Sequence, residues 1–440
     1  MTWTRNIALR AVAEVTLGRQ RSPQHAEGLF MVKYLRAANV KDGALDLSDV
    51  KSMNFTPDEQ RIFGLRPGDV LVSEGSGSLS TVGAAAVWRG EIEGPVCFQN
   101  TLLRLRPRSD VIDGRFLGWW AQSAFGSGLF ASLASGANIY HLSAERVRIL
   151  RIDIPSLDEQ RRIADFLDAE TGRIDRLVQA RMRQRVALDE HAYADISETL
   201  IPGITRKPAG VWPWVWLPEL GKDRPLVRLG YVCRIQTGIT VDSGRDVGSD
   251  PVTRPYLRVA NVQAGHIDLS SVAEVTVPRA LAARSTLRPG DVLMTEGGDL
   301  DKLGRGTVWR GELPDCLHQN HVFALRPEPD RLDAEYLALM TQTVHGRCYF
   351  ESTGTKTTNL ASTSSSKILS FPIPLPSVSR QRELVAAITR RLDMVARAKA
   401  ELSRQLELLA ERRQALITAT VTGQLDISTA SGRGVTDGVS

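Results

Sequence analysis

Pro67-Gly68-Asp69 is followed five residues later by Glu74, and the arrangement returns as Pro289-Gly290-Asp291 with Glu296. A turn ending on an aspartate, with a glutamate close behind, is where a metal-dependent nuclease begins its ligand set. Such an enzyme also needs a lysine two residues beyond the second carboxylate to support an activated water. Ser76 and Gly298 stand at that place, so cleavage by this chain is not expected. His318 and His321, with Cys316 nearby, have a faintly ligand-like spacing. Without a second pair they read as polar surface, and no metal is expected. The seven histidines assemble no catalytic triad. No G-x-x-x-x-G-K-[ST] phosphate loop, no G-x-G-x-x-G after a strand and no Asn-Pro-Pro-aromatic methyltransferase tetrapeptide occurs. The chain carries no catalytic signature and no cofactor motif of its own.

The residues that remain must be placed by the elements around them. A chain of 440 residues corresponds to two or three domains at about 150 residues each. A content of 42% hydrophobic and 24% charged residues excludes wholesale disorder and collagen. Cys97, Cys233, Cys316 and Cys348 form no C-x-x-C pair and read as reduced intracellular thiols. Met1-Thr-Trp-Thr-Arg-Asn6 opens no apolar run of signal-peptide length, and no stretch approaches the ~20 apolar residues of a membrane span. The expectation is a soluble, cytoplasmic protein without a membrane partner. A net charge of +5 is a weak lever over this length, but 46 of the 55 basic residues are arginine. The guanidinium fork suits phosphate oxygens and guanine edges; codon bias produces the same excess, and composition alone leaves the two open.

Self-similarity decides the architecture. Tyr34-Leu-Arg-Ala-Ala-Asn-Val40 returns as Tyr256-Leu-Arg-Val-Ala-Asn-Val262, and Leu65-Arg-Pro-Gly-Asp-Val-Leu71 as Leu287-Arg-Pro-Gly-Asp-Val-Leu293. Val87-Trp-Arg-Gly-Glu91 matches Val308-Trp-Arg-Gly-Glu312, and Gln99-Asn100 matches Gln319-Asn320. Leu105-Arg-Pro107 and Pro155-Ser-Leu-Asp-Glu-Gln160 find partners in Leu325-Arg-Pro327 and Pro376-Ser-Val-Ser-Arg-Gln381. Six ordered matches at offsets of 220 to 222 make the chain two copies of one unit.

Each copy has two textures. The fronts, 1–153 and 225–372, hold short apolar runs between Gly, Pro, Asn and Asp, the pattern of short strands in a turn-rich α+β domain. The backs, 154–200 and 373–427, are dense in charge and, over 158–200 and 379–421, almost free of Gly and Pro. In the second of these Ile388, Val395, Leu402, Leu409 and Leu416 recur every seven residues. Leu392 and Leu406 fill the paired position, which Lys399 and Arg413 interrupt. That is a coiled-coil seam. The first back is amphipathic but less regular, through Ile163, Leu167, Ile174 and Leu177. Residues 158–200 hold seven arginines against ten acids, and residues 379–417 hold nine bases against five acids. Opposite signs favour pairing of the two helices within one chain. The stretch 201–224, with Trp212, Trp214 and Trp216, reads as a packed connector, and the Ser/Gly/Thr-rich tail 428–440 as disordered.

In these segments the chain resembles the specificity subunits of type I restriction–modification enzymes. The resemblance covers nearly the whole length. It rests on the domain–helix–domain–helix order and on the repeated Tyr-Leu-Arg and Leu-Arg-Pro-Gly-Asp segments. It also rests on Glu296-Gly-Gly-Asp299 with Leu303-Gly-Arg305, and above all on Glu159-Gln160-Arg-Arg-Ile163. Two departures stand out: Arg380 replaces the glutamate before Gln381, and Glu74-Gly-Ser-Gly-Ser-Leu-Ser-Thr81 lacks the Gly-Asp and Gly-Arg of the second copy.

The resemblance implies that each front is a target-recognition domain reading half of a split site on double-stranded DNA. The helices would pack as an intramolecular antiparallel coiled coil and dock two methyltransferase subunits. Motor-nuclease subunits would complete the complex, with S-adenosylmethionine, ATP and Mg²⁺ used by those partners. A helix of about 40 residues is roughly 60 Å long, enough to hold two readers about a DNA turn apart. Base contacts are expected from Ser76, Ser78, Thr81, Asn138, Tyr140 and His141 in the first domain. In the second they are expected from Asp299, Lys302, Arg305, Lys356, Thr357, Thr358 and Asn359. A protein-binding coiled-coil scaffold, or a stand-alone DNA-binding regulator without enzymatic partners, are the alternatives.

Overall fold

The computed structural model describes residues 3–22, 26–204, 225–240, 244, 247–298, 303–356 and 361–427. The three connector tryptophans and the tail from 428 lie outside the described residues. The chain divides into two compact units: 1–181 with 403–440, and 182–402. Among the described residues no helix is long and apolar enough to cross a membrane.

The first unit is built on an antiparallel sheet in the order Ala13–Leu17, Leu102–Pro107, Val70–Ser73, Ala85–Val87. The run Val70-Leu71-Val72 is apolar throughout because both of its faces are covered. Val70 and Val72 pack with Phe116, Leu117 and Trp120 of the helix Gly114–Gly126. Leu71 packs on the other side with Trp88, Phe98 and Leu35. A second sheet places Val96–Phe98 parallel to Met31–Leu35 and Lys51–Asn54 antiparallel to it. The N-terminal strand Thr4–Ala8 pairs with Arg151–Ile154, which leads into the first long helix.

The second unit repeats this plan. Its four-stranded sheet runs Cys233–Thr237, Val322–Pro327, Val292–Thr295, Gly306–Val308. Its three-stranded sheet runs Ala273–Pro278, Pro251–Leu257, Leu317–His318. Leu226–Arg228 pairs with Pro372–Pro374 ahead of the second long helix. The mixed α/β fold is the one expected.

The repeated motifs hold the frame together. Asn39 of the Tyr-Leu-Arg segment donates to the carbonyls of Asp46 and Asp49, and its side-chain oxygen accepts from the N–H of Arg36. Asn261 does the same with Asp268, Ser271 and Arg258. Gln160 is fully buried: its Oε1 accepts from the N–H of Asp113 at 2.8 Å, and its Nε2 donates to Val111 O and Pro155 O. Asp113 in turn caps the helix Gly114–Gly126 through the N–H groups of Arg115 and Phe116. Gln381, Asp333 and the helix Ala334–Gln342 repeat each of these bonds. Replacement of Glu159 by Arg380 leaves this arrangement intact.

The two long helices, Leu157–Leu200 and Val378–Val421, each divide between the units. Within the second unit Arg391 pairs with Asp195 and donates to Thr199, while Lys399 meets Asp189 at 2.5 Å. Position rises on one helix as it falls on the other, so the segments are antiparallel. Within the first unit Arg413 lies 3.4 Å from Asp175. Lys399 and Arg413, the two interruptions of the heptad, therefore face acids on the other helix, and in these three pairs the cation comes from the basic one.

Burial along the seam corrects the sequence reading at one position. Leu177 is 49% exposed, while Val178 is half-buried in its place. The 3–4 stepping runs from Ile163 and Leu167 through Thr171 and Ile174 to Val178, which leaves Leu177 a residue out of phase. Leu392, Val395, Leu402, Leu406, Leu409 and Leu416 are half-buried, whereas Ile388 is completely enclosed. Two helices cover only part of a side chain between them. Ile388 gains further cover from a core that includes Tyr336, Phe350 and Ile373 of its domain. Ile388→Ala should accordingly cost about 2–5 kcal/mol, and Leu402→Ala less than half as much. Urea unfolding of both variants tests the order; equal losses would contradict it.

Candidate nucleic-acid interface

The carboxylates that could have been metal ligands are already engaged. Asp69 is buried, and Arg106 donates to it from Nε at 2.8 Å and from Nη2 at 2.7 Å. The N–H of Arg66 adds a third bond at 2.7 Å. Asp291 holds Arg326 and the N–H of Arg288 in the same way. A buried carboxylate with a bidentate guanidinium and a backbone donor pins the turn to its sheet. Glu74 pairs with His141 Nδ1 at 3.1 Å, and Glu296 with His321 Nδ1 at 2.5 Å. Among the described residues no group of three or more His, Cys, Asp or Glu side chains could hold a metal ion.

His318 is not surface, contrary to the sequence reading: the strand Leu317–His318 carries it into the core with no exposed area. Its Nδ1 lies 2.7 Å from Val322 O, which only an N–H can satisfy. That fixes the tautomer and leaves Nε2 to accept from Gln236 Nε2 at 3.4 Å.

The two loops of the first domain expected to contact bases come together, although Ser76 and Tyr140 lie 64 positions apart. Gly75–Ser76 pairs antiparallel with Tyr140–His141, Ser76 opposite Tyr140 and Gly75 opposite His141. The N–H of Leu142 closes the ribbon on Glu74 O at 2.7 Å. Beyond Ser76 a hydroxyl network shapes the turn: Ser76 Oγ meets Thr81 Oγ1 at 2.5 Å, and Ser78 Oγ meets Ser80 Oγ at 2.8 Å. Asn138, Ser78, Thr81 and His141 are exposed, Ser76 and Tyr140 half-buried. Leu79 and Ile139, not singled out in the sequence, expose apolar side chains in the same two loops.

The second unit places Gly297–Gly298 against Ala361–Ser362, with the N–H of Thr363 on Glu296 O. These residues sit 221 or 222 positions beyond their counterparts, so the repeat continues through loops whose sequences no longer match. Here a third strand, Thr355–Lys356, pairs with Ala361–Ser362. Lys356 therefore belongs to the ribbon backbone. Arg305 is half-buried, near enough to Tyr193 that its positive charge opposes the burial pushing that hydroxyl up to about 12. Asp299, Lys302, Thr357, Thr358 and Asn359 lie outside the described residues.

The arrangement is a tandem of matched frames carrying unlike polar loops. Residues 33–181 match the family described as the type I restriction modification DNA specificity domain. Over most of its length the chain is similar to specificity subunits of type I restriction–modification systems. It is 24% identical over 396 residues to the EcoKI specificity subunit of Escherichia coli (strain K12), covering 89% of this chain and 82% of the relative. It is 23% identical over 404 residues, with the same coverage, to the StySPI specificity subunit of Salmonella potsdam. A solved structure concerned with complex assembly and conformational transition of the type I R-M system aligns with a TM-score of 0.70 at 19% identity. That alignment covers 96% of this chain and 98% of the other. At that identity the likeness is one of fold.

The buried histidines give the second unit a sensitivity to acid. Burial holds His318 and His345 below the ordinary 6.5, against hydrogen bonds to Val322 and Pro372 that pull the other way. Below about pH 6.5 the unfolded chain takes up protons that the folded unit refuses, so stability is full above that pH and falls with acidification. The first unit has Phe98 in the place of His318. Hydrogen exchange of 182–402 should accelerate between neutral and mildly acidic pH, after correction for intrinsic rates, and His318→Phe should reduce the effect. Identical pH profiles for His318→Phe and wild type would remove the argument.

Proposed function

We propose that the chain reads a bipartite DNA site, one half with the ribbon at Ser76 and Tyr140, the other with the ribbon at Gly298 and Ala361. The observation that carries this reading is the coincidence of the two ribbons. Both follow the same strand and close with the same backbone bonds, yet they present different side chains. A frame repeated with altered loops is what two readers of different sequences require, and hydroxyl, amide and imidazole groups are suited to base edges. Because the halves differ, the site is not palindromic.

The chain is non-catalytic in this reading. The paired helices dock two methyltransferase subunits, and motor-nuclease subunits join the complex. S-adenosylmethionine, ATP and Mg²⁺ serve those partners. The engagement of Asp69 and Asp291 by arginines supports this division, since neither carboxylate is free to hold an ion.

Selection of bound sites from a random duplex library, with partner subunits present, tests the proposal. Two short motifs separated by an unread gap are expected. Asn138→Ala should relax or weaken one half-site, by about 1–3 kcal/mol at one base position if it contacts a base edge. The other half should keep its requirement. A single continuous motif, changes in both halves from this one variant, or no sequence preference at all would defeat the two-reader model.

A further inference from the structure

The two units differ in charge at a place away from the ribbons. In the first, Arg104 on the strand Leu102–Pro107 is enclosed: it donates to Ile62 O and Gly64 O, reaches Glu14 at 3.1 Å, and lies over the ring of Phe98. It opposes Thr16 and Leu71. In the second unit the residue opposing Gln236 and Leu293 is Ala324, so the internal guanidinium is gone. His318 stands where Phe98 formed the floor. Gln236, the strand partner of Ala324, lines a cleft of about 980 Å³ between the strand Cys233–Thr237 and the helix Arg279–Ser285.

Its charge has changed with its shape. Glu14, which opposes Arg106, is replaced by Arg234, which opposes Arg326. Ile62 is replaced by Arg284, and Arg288 keeps the position of Arg66. Arg234, Arg284, Arg288 and Arg326 all line the cleft, and among the described residues no carboxylate does. Arg326 is neutralised by buried Asp291. The other three side chains are exposed, and among the described residues their guanidinium groups have no acidic partner. Like charges directly opposite on a sheet repel, and three unneutralised guanidinium groups around one concavity present a steady positive potential. The ligand that this combination fits is a phosphate, taken through the planar guanidinium fork.

We propose that this cleft is a phosphate-binding site of the second unit, without a counterpart in the first, and that a DNA backbone supplies the phosphate. The last clause rests on the DNA-reading role given above. The two domains then grip nucleic acid unequally, one with a backbone anchor at this place in addition to its reading loops and one without it there.

Arg284→Gln and Arg288→Gln in the full chain test this, with Arg61→Gln on the equivalent helix of the first unit as control. One arm follows the thermal midpoint in inorganic phosphate against chloride at equal ionic strength. The wild type and the control should gain stability that both cleft variants lose. The second arm measures binding of a random-sequence duplex against salt. Each cleft variant should lower the log–log slope by about 0.9, the share of one phosphate contact. Loss of the phosphate response with an unchanged slope would overturn the DNA source and assign the site to a free phosphate or phosphorylated small molecule. Variants indistinguishable from wild type in both arms would overturn the site. Random duplex carries no half-sites, so either result stands whether or not the bipartite reading survives its own library selection.

Discussion

One buried amide fixes each domain to its long helix. Gln160 sits in the first turn of a 44-residue helix and is bonded to backbone on three sides. Its oxygen takes the N–H of the aspartate that caps the domain helix, so the axes of two helices are set by a single side chain. Alanine would strand one buried donor and two buried acceptors, each costing about 1–3 kcal/mol when unsatisfied. Glutamate would present repulsion to the carbonyls, and asparagine would be too short. That is why Gln160 and Gln381 stay the same while the residue before them changes from Glu159 to Arg380.

The frame was legible in the sequence because its residues are constrained twice over. Asn39 must bridge two turns and the glycine of Leu-Arg-Pro-Gly-Asp must take φ near +93° in both copies. Asp69 must reach a guanidinium and an N–H at once. Such positions tolerate one residue type and so recur. Loop residues carry no such double constraint, and their identities diverged until alignment of the copies failed there. Ser76 and Tyr140 are both legible as polar loop residues, but nothing in the sequence joins them. The seam was read correctly where apolar residues hold the phase and failed at Leu177, where Thr171 obscures the stepping. His318 was misread because its burial depends on the strand pairing with Tyr256–Leu257, a long-range fact.

The arginines divide into two chemical populations. Arg104 and Arg19 are buried and Arg106 and Arg326 half-buried, each with a carboxylate, and they serve as rigid struts. Arg104 shows the electrostatic strain of this use: burial and the neighbouring Arg106 lower its pKa, while Asp69 and Glu14 oppose them. Others, such as Arg234 and Arg284, are exposed. Arginine count alone could not separate struts from contacts, which is why composition left nucleic-acid binding open. Position relative to the repeat separates them, for a strut recurs in both copies or is matched by a local acid.

The division of the long helices between units has a consequence for synthesis. The unit 182–402 is one continuous stretch and has all of its parts once Leu402 has emerged. The core of the other unit includes Ile417 and Val421, packed with Ile163, Leu167 and Trp120. A nascent chain therefore completes its second half before its first. Until then the face of the domain that receives Ile417 stays uncovered, a hydrophobic liability for a chaperone to shield. Premature termination just after 402 would leave the later-made unit whole and the earlier-made one open.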